Sequence, residues 1–208
     1  VCGICPRRKV HAVGYCFGGT LLSIAAAAMA RDGDDRLATV SLFAAQTDFS
    51  EAGEITRFIS PSQLSFLEKL MWKRGYLGSE NMGGAFSALR SSDLIYAGMV
   101  DRYLMGKQTQ LNDLMSWNAD GTRMPYQMHT EYLEKLYLHN QLATNKFTVG
   151  GRVVSVSDIN VPMFVLGTET DHVAPWKSVY KIVGLTHNEL TFALTSGGHN
   201  AGVVSGPQ

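Results

Sequence analysis

The 208-residue chain carries 18 basic and 18 acidic residues, so it offers no electrostatic footprint for nucleic acid or for an anionic membrane surface. With 45% hydrophobic and 17% charged residues it falls in the globular range, away from the composition of disorder, and its length suits one domain. The longest uninterrupted apolar stretch near the start, Ile24 to Ala30, is far below the ~18–20 residues of a membrane span, and no transmembrane helix is expected.

The three cysteines, Cys2, Cys5 and Cys16, crowd into the first sixteen positions, a poor framework for stapling a secreted domain, and a reducing, cytoplasmic setting fits them better. Cys2 and Cys5 have C-x-x-C spacing, but they stand before Pro6 and two arginines rather than in a βαβ context, so the pair reads as incidental. The chain has no initiator Met and no signal peptide, and a strand begins almost at once, which predicts a partial sequence.

In chain order, Lys9 to Tyr15 reads as a short buried strand, Cys16 to Thr20 as a glycine-rich turn, and Leu21 to Ala30 as an alanine-rich helix. Turn-forming residues at Asp32 to Asp35 end that helix, and Leu37 to Ala45 is the next strand, which completes a βαβ unit and implies a parallel sheet. From about Asp48 to Lys107 the pattern is helical, with segments Ser62 to Arg74 and Gly84 to Arg90 and no convincing strand. An insertion of about 48–120 at the carboxyl edge of such a sheet predicts a mainly helical cap over a site. Phe58, Trp72, Tyr76, Phe86, Tyr96 and Tyr103 suit cap core or subunit contact. Met128 to Leu142 is a further helix, Val161 to Gly167 a strand, Trp176 to Val183 a helix and Leu190 to Leu194 a final strand. The fold class is α/β.

The chemistry centres on Gly14-Tyr15-Cys16-Phe17-Gly18, which has the form of a nucleophile elbow. Such an elbow needs small residues two before and two after the nucleophile because the strained turn brings backbone close, a need assigned to Gly14 and Gly18. It aims the nucleophile out above the sheet and lets the next backbone N–H, that of Phe17, contribute to an oxyanion hole. At a helix N-terminus Cys16 is favoured as thiolate. The α/β-hydrolase order is nucleophile, acid, histidine, and the chain supplies Asp171 after one strand and His199, in a glycine-rich loop, after the next. His172 stands beside the acid and is given a supporting role. His11 reads as a strand side chain and His129 as a helix residue.

These residues belong to longer blocks that resemble the poly(3-hydroxyalkanoate) synthases, most closely class I. The blocks are Gly14-Tyr-Cys-Phe-Gly-Gly-Thr20, Thr47-Asp-Phe-Ser-Glu-Ala-Gly53, Asp93-Leu-Ile, Trp117-Asn-Ala-Asp-Gly-Thr-Arg-Met-Pro125, Met128-His129, Gly167 to Tyr180 and Gly197-Gly-His-Asn-Ala-Gly-Val-Val204. The resemblance implies an α/β-hydrolase fold with a cap, and a transferase that joins (R)-3-hydroxyacyl groups, most simply 3-hydroxybutyryl, from coenzyme A thioesters into a polyester. It makes Cys16 the nucleophile that holds the growing chain as a thioester, His199 the general base, and Asp171 either the group that orients His199 or one that activates the substrate's 3-hydroxyl. No cofactor or metal is called for, since the coenzyme A thioester is the substrate. A homodimer through the cap and a place at the surface of cytoplasmic polymer granules are further implications.

Independently, thiolate attack on a thioester exchanges sulfur for sulfur and keeps the acyl group activated, so cysteine in place of serine favours transfer over hydrolysis. The resemblance also implies that earlier sheet strands, with the loop giving a second oxyanion N–H, fall outside these 208 residues. Val1 to Arg8 does not match the family, and Asn200 stands where some members carry an apolar residue. The competing readings are a cysteine α/β hydrolase such as a thioesterase or a dienelactone-hydrolase-like enzyme, and a non-catalytic granule-associated protein.

Overall fold

A computed structural model describes residues 1–78, 99–106, 113, 116, 117 and 120–204. The expected helix Gly84 to Arg90, with Phe86, Tyr96 and the Asp93-Leu-Ile block, lies outside these residues. The chain divides into two compact units, Val1–Thr56 with Glu134–Gln208, and Arg57–Leu133.

The first unit opens with strand β1 (Val10–Tyr15), helix α1 (Phe17–Arg31) and strand β2 (Leu37–Phe43). The second holds helix α2 (Pro61–Trp72), strands β3 (Tyr76–Leu77) and β4 (Met124–Pro125), and helix α3 (Tyr126–Glu131). Wide π-type turns over Tyr132–Leu138 lead the chain back to the first unit. There it forms strands β5 (Thr148–Val149) and β6 (Arg152–Val153), strand β7 (Met163–Thr168), helix α4 (Trp176–Tyr180) and strand β8 (Leu190–Thr195).

Four of these strands make one parallel sheet in the order β1-β2-β7-β8. Gly14, Leu42 and Val165 share one register row, with Leu42 and Val165 fully buried. α1 packs on β1 and β2, and α4 on β7. Small residues set the depth of that packing: Ala26 and Ala27 of α1 are buried, and a Cβ on Gly167 would stand 3.1 Å from the Cβ of Trp176. One residue along each strand the row is Val13, Ser41 and Phe164, on the opposite face because side chains alternate. Among the described residues that row is open, with Val13 63% and Phe164 37% exposed. The core therefore lies on the helical face of this sheet, and both helices point their N-termini at its carboxyl edge, where Cys16 and the acid loop emerge.

The four long strands fall where the sequence predicts them, within two residues at each end. α1 starts earlier than expected, at Phe17, because the turn is confined to Cys16 and the glycines after it are already helical. The expected helix Met128 to Leu142 begins at Tyr126 and loosens into π-type turns, a distortion that its apolar pattern does not encode. α2 matches its prediction, with Ser60 accepting a hydrogen bond from the Gln63 N–H and Pro61 at the first helical position. Against the expectation of no strand before 107, Tyr76 and Leu77 pair antiparallel with Pro125 and Met124, a ladder too short to leave a periodic signal.

The β5–β6 hairpin was missed although its signal is present. Gly150 and Gly151 take φ values of 60° and 74°, the two positive dihedrals of a tight hairpin turn, between β-branched Thr148, Val149 and Val153. Arg31, at the end of α1, fastens this hairpin: one terminal nitrogen donates to the carbonyls of Arg152 at 2.8 Å and of Val149 and Val153 at 3.2 Å, while Nε and the other hold Asp32.

Candidate active site

Cys16 has φ 52° and ψ −126°, a positive φ that a non-glycine residue adopts only where its surroundings hold it. Two sets of backbone bonds do so. Its N–H donates to the Phe43 carbonyl at 2.9 Å, continuing the sheet, while its carbonyl accepts from Gly19 at 2.9 Å and Thr20 at 3.2 Å, beginning the helix. The direction of the chain thus changes within one residue, which sets Cys16, half-buried, at the first turn of α1.

The close approach required by this turn falls on Gly14 and Gly19. A Cβ on Gly14 would lie 2.5 Å from the Gly19 Cα, and one on Gly19 would lie 2.4 Å from the Ala45 Cβ. Gly18, which the spacing rule singles out, is exposed with nothing within 4 Å of the corresponding position, so that assignment is corrected. It lies on the outer side of the helix, and the tight contact comes one residue later.

Asp171 and His199 come together at the ends of β7 and β8. The His199 Nδ1 lies 2.7 Å from the Asp171 Oδ2, with the Asp171 side chain fully buried and that of His199 12% exposed. The rest of the carboxylate is occupied as well. Oδ1 accepts the N–H groups of Val173 at 2.8 Å and Ala174 at 2.9 Å, and Oδ2 also accepts the hydroxyl of buried Thr168 at 3.1 Å. The acid is therefore oriented by its own backbone turn, and His199 is oriented by the acid.

Burial acts to lower the His199 pKa, but hydrogen bonds to Asp171 and Cys16 and the charges of both outweigh it, pushing the value up to about 9. The protonated imidazole is thus favoured. Tyr15, beside Cys16 in sequence, has its pKa raised by burial and then by the charges of Cys16 and Asp171.

The other candidates fall elsewhere. His172 is half-buried, and its carbonyl would lie 3.2 Å from a Cβ on Gly53, which puts its main chain in the packing of the acid loop against the Thr47–Gly53 segment. The His11 Nδ1 is 2.8 Å from the Thr39 hydroxyl across β1 and β2. His129 is buried in the second unit, and burial pushes its pKa down. Cys2 and Cys5 are free thiols, and among the described residues no cluster of three or more His, Cys, Asp or Glu is placed to hold a metal ion. Nor is any described helix long and apolar enough to cross a membrane.

A family model described as alpha/beta hydrolase fold matches residues 4–205. The chain belongs to the α/β-hydrolase fold family. Within that family it is 42% identical over 201 residues to the poly(3-hydroxyalkanoate) polymerase subunit PhaC of Rhizobium meliloti, an alignment covering 97% of this chain and 33% of the relative. It is 38% identical over 201 residues to the poly(3-hydroxyalkanoate) polymerase of Methylorubrum extorquens, covering 97% and 33%. It is 34% identical over 210 residues to the PhaC subunit of Cupriavidus necator, covering 98% and 36%. The chain spans about a third of the length of these curated relatives.

In this α/β-hydrolase-fold chain, sequence reasoning missed four residues of the site: Tyr15, Gly19, Thr168 and, except as a departure from pattern, Asn200. Only Thr168 had a usable signal, a hydroxyl three residues before the acid, at hydrogen-bonding reach across a tight turn.

Proposed function

We propose that this chain carries the catalytic centre of an acyltransferase that polymerises (R)-3-hydroxyacyl-coenzyme A, 3-hydroxybutyryl-coenzyme A foremost, into polyhydroxyalkanoate with release of coenzyme A. The observation that carries this reading is a cysteine at the elbow, whose influence together with that of Asp171 raises the His199 pKa, in a chain 42% identical across nearly its whole length to a poly(3-hydroxyalkanoate) polymerase subunit.

In this reading His199, with Nδ1 committed to Asp171, holds on its other ring nitrogen the proton taken from the Cys16 thiol, as its raised pKa favours, and leaves Cys16 as thiolate. The thiolate attacks the thioester carbonyl of the substrate. The oxyanion that forms is stabilised at the start of α1, where the Phe17 N–H is the donor assigned. Collapse breaks the carbonyl–sulfur bond to coenzyme A, whose thiolate takes the proton back from the imidazolium, and the acyl group remains on Cys16 as a thioester. The chain grows when the 3-hydroxyl of a further acyl group gives its proton to His199 and attacks the Cys16 thioester, forming the ester bond, breaking the carbonyl–sulfur bond and freeing Cys16 as thiolate beside the imidazolium.

Both oxygens of Asp171 are occupied by Val173, Ala174, Thr168 and His199, which supports an orienting role over direct activation of the substrate hydroxyl. His172 supports the acid loop. The same proposal includes a cap formed from about 48–120, dimerisation through it and a location at polymer granules, checked by analytical ultracentrifugation and by co-sedimentation with granules.

The test gives a full-length protein carrying this chain 3-hydroxybutyryl-coenzyme A while coenzyme A release and insoluble polymer are both followed. Both products are expected, and Cys16→Ala abolishes both. Coenzyme A without polymer would move the assignment to a thioesterase. Full activity in the Cys16→Ala variant would remove the nucleophile assignment altogether.

A further inference from the structure

We propose that Tyr15 is a positioning residue for His199, its phenol reaching from the end of β1 to tie down the loop that carries the histidine. This rests on the reading of His199 as the base.

The sheet order puts two strands, β2 and β7, between β1 and β8, so the strand leading into Cys16 and the loop after β8 share no backbone ladder. Tyr15 bridges that distance. Its hydroxyl donates to the His199 carbonyl at 3.1 Å and also meets the Asn200 Oδ1. A phenol carries one proton, so the two acceptors share it, and because they sit on consecutive residues both contribute to holding the same stretch of loop. The Tyr15 ring stands 5.2 Å from the imidazole, centroid to centroid, at an interplanar angle of 36°.

The bonds among the loop's described backbone groups act differently. Gly202 and Val204 donate to the carbonyls of Gly198 and Asn200, and Thr170 donates to Gly197, which fold the loop and attach it to the acid turn. Two glycines, Gly197 at φ 101° and Gly198, precede the histidine and leave its backbone with little intrinsic stiffness. The Asp171 bond fixes one ring nitrogen, about which the imidazole can still rock. The phenol adds a second constraint from the side of the nucleophile, so one strand end places both Cys16 and its partner. Burial, and after it the charges of Cys16 and Asp171, raise the pKa of the same phenol and keep it a neutral donor.

The test uses a full-length protein carrying this chain, with two readouts that need no polyester substrate. One is the rate of Cys16 alkylation by iodoacetamide, followed by peptide mass spectrometry; the other is the titration midpoint of His199, from NMR of histidine labelled at Cε1. Tyr15→Phe keeps the ring and removes the hydroxyl. It is expected to slow alkylation about tenfold, as misplaced catalytic groups do, and to bring the His199 midpoint down from about 9 toward 6.5 as the Asp171 contact loosens. Asn200→Ala, which leaves β1 untouched, moves both in the same direction by less, and serves if Tyr15→Phe fails to fold.

A folded Tyr15→Phe variant with an unchanged rate and midpoint overturns the proposal, as does an unchanged Asn200→Ala should it be the only folded variant. His199→Ala separates the two levels. If it leaves alkylation as fast as in the parent, the assignment of His199 as base fails; if it slows alkylation and Tyr15→Phe does not, only the positioning role fails.

Discussion

The elbow and the histidine loop hold the two side chains assigned to the reaction by different means. Cys16 is placed by main chain alone: sheet bond on one side, helix bonds on the other, and a Gly14–Gly19 contact too tight for any Cβ. His199 is placed by side chains, Asp171 at one ring nitrogen and Tyr15 behind the loop, on a backbone loosened by glycine. A nucleophile held by backbone tolerates no adjustment, whereas a base held by side chains can be tuned one group at a time. Mutations should therefore act on the elbow as on the fold, and on the histidine loop as on the chemistry.

The largest expected effect is on the loop side. Asp171→Asn keeps the size of the acid but removes the charge, so burial prevails and the His199 pKa falls. Acyl transfer should drop by about 10²–10⁴-fold, the usual scale of a positioned acid–base group, while the melting temperature above pH 9, where the His199 contribution to stability is already lost, changes little; a large loss of melting temperature there at unchanged turnover would invert the comparison.

Next comes the elbow. Gly19→Ala forces its Cβ onto that of Ala45 at 2.4 Å, and overpacking of this kind costs about 1–3 kcal/mol, read as a lower urea midpoint. A neutral outcome would mean that the elbow yields more easily than its contacts imply.

Stability should also depend on pH through His199. A histidine whose folded pKa is raised to about 9 contributes stability that is complete below its unfolded value of 6.5 and is lost as pH rises through 9. Urea midpoints should fall over that window, and His199→Ala should flatten the fall. The smallest effect is at Gly18, whose Cβ position is open: there Ala should stabilise by about 0.5–1 kcal/mol through its better helix propensity. The opposite signs at adjacent glycines make the pair a sensitive check on where the close approach lies.

The order of Cys16, Asp171 and His199, and the strand ends that carry them, could be read from residue type, turn chemistry and spacing, because each follows a βαβ boundary that leaves a local trace. The long strands were legible for the same reason. What binds the triad together was not. Tyr15 and Asn200 lie 185 positions apart, and nothing in either neighbourhood announces the contact, which exists only once the four strands are in register. Gly18 and Gly19 look alike in sequence, and helical phase alone decides which of them faces Ala45. The Gly150-Gly151 hairpin, by contrast, was readable and overlooked, outweighed by the brevity of its strands.

The turn around Asp171 works as a ruler. Its side chain spans from its own Cα to a point where Val173 and Ala174 N–H groups meet one oxygen and His199 the other. The length of a single methylene thus sets where the imidazole comes to rest. A glutamate would carry the same charge and reach one carbon too far, so this position selects for side-chain reach as strictly as for acidity.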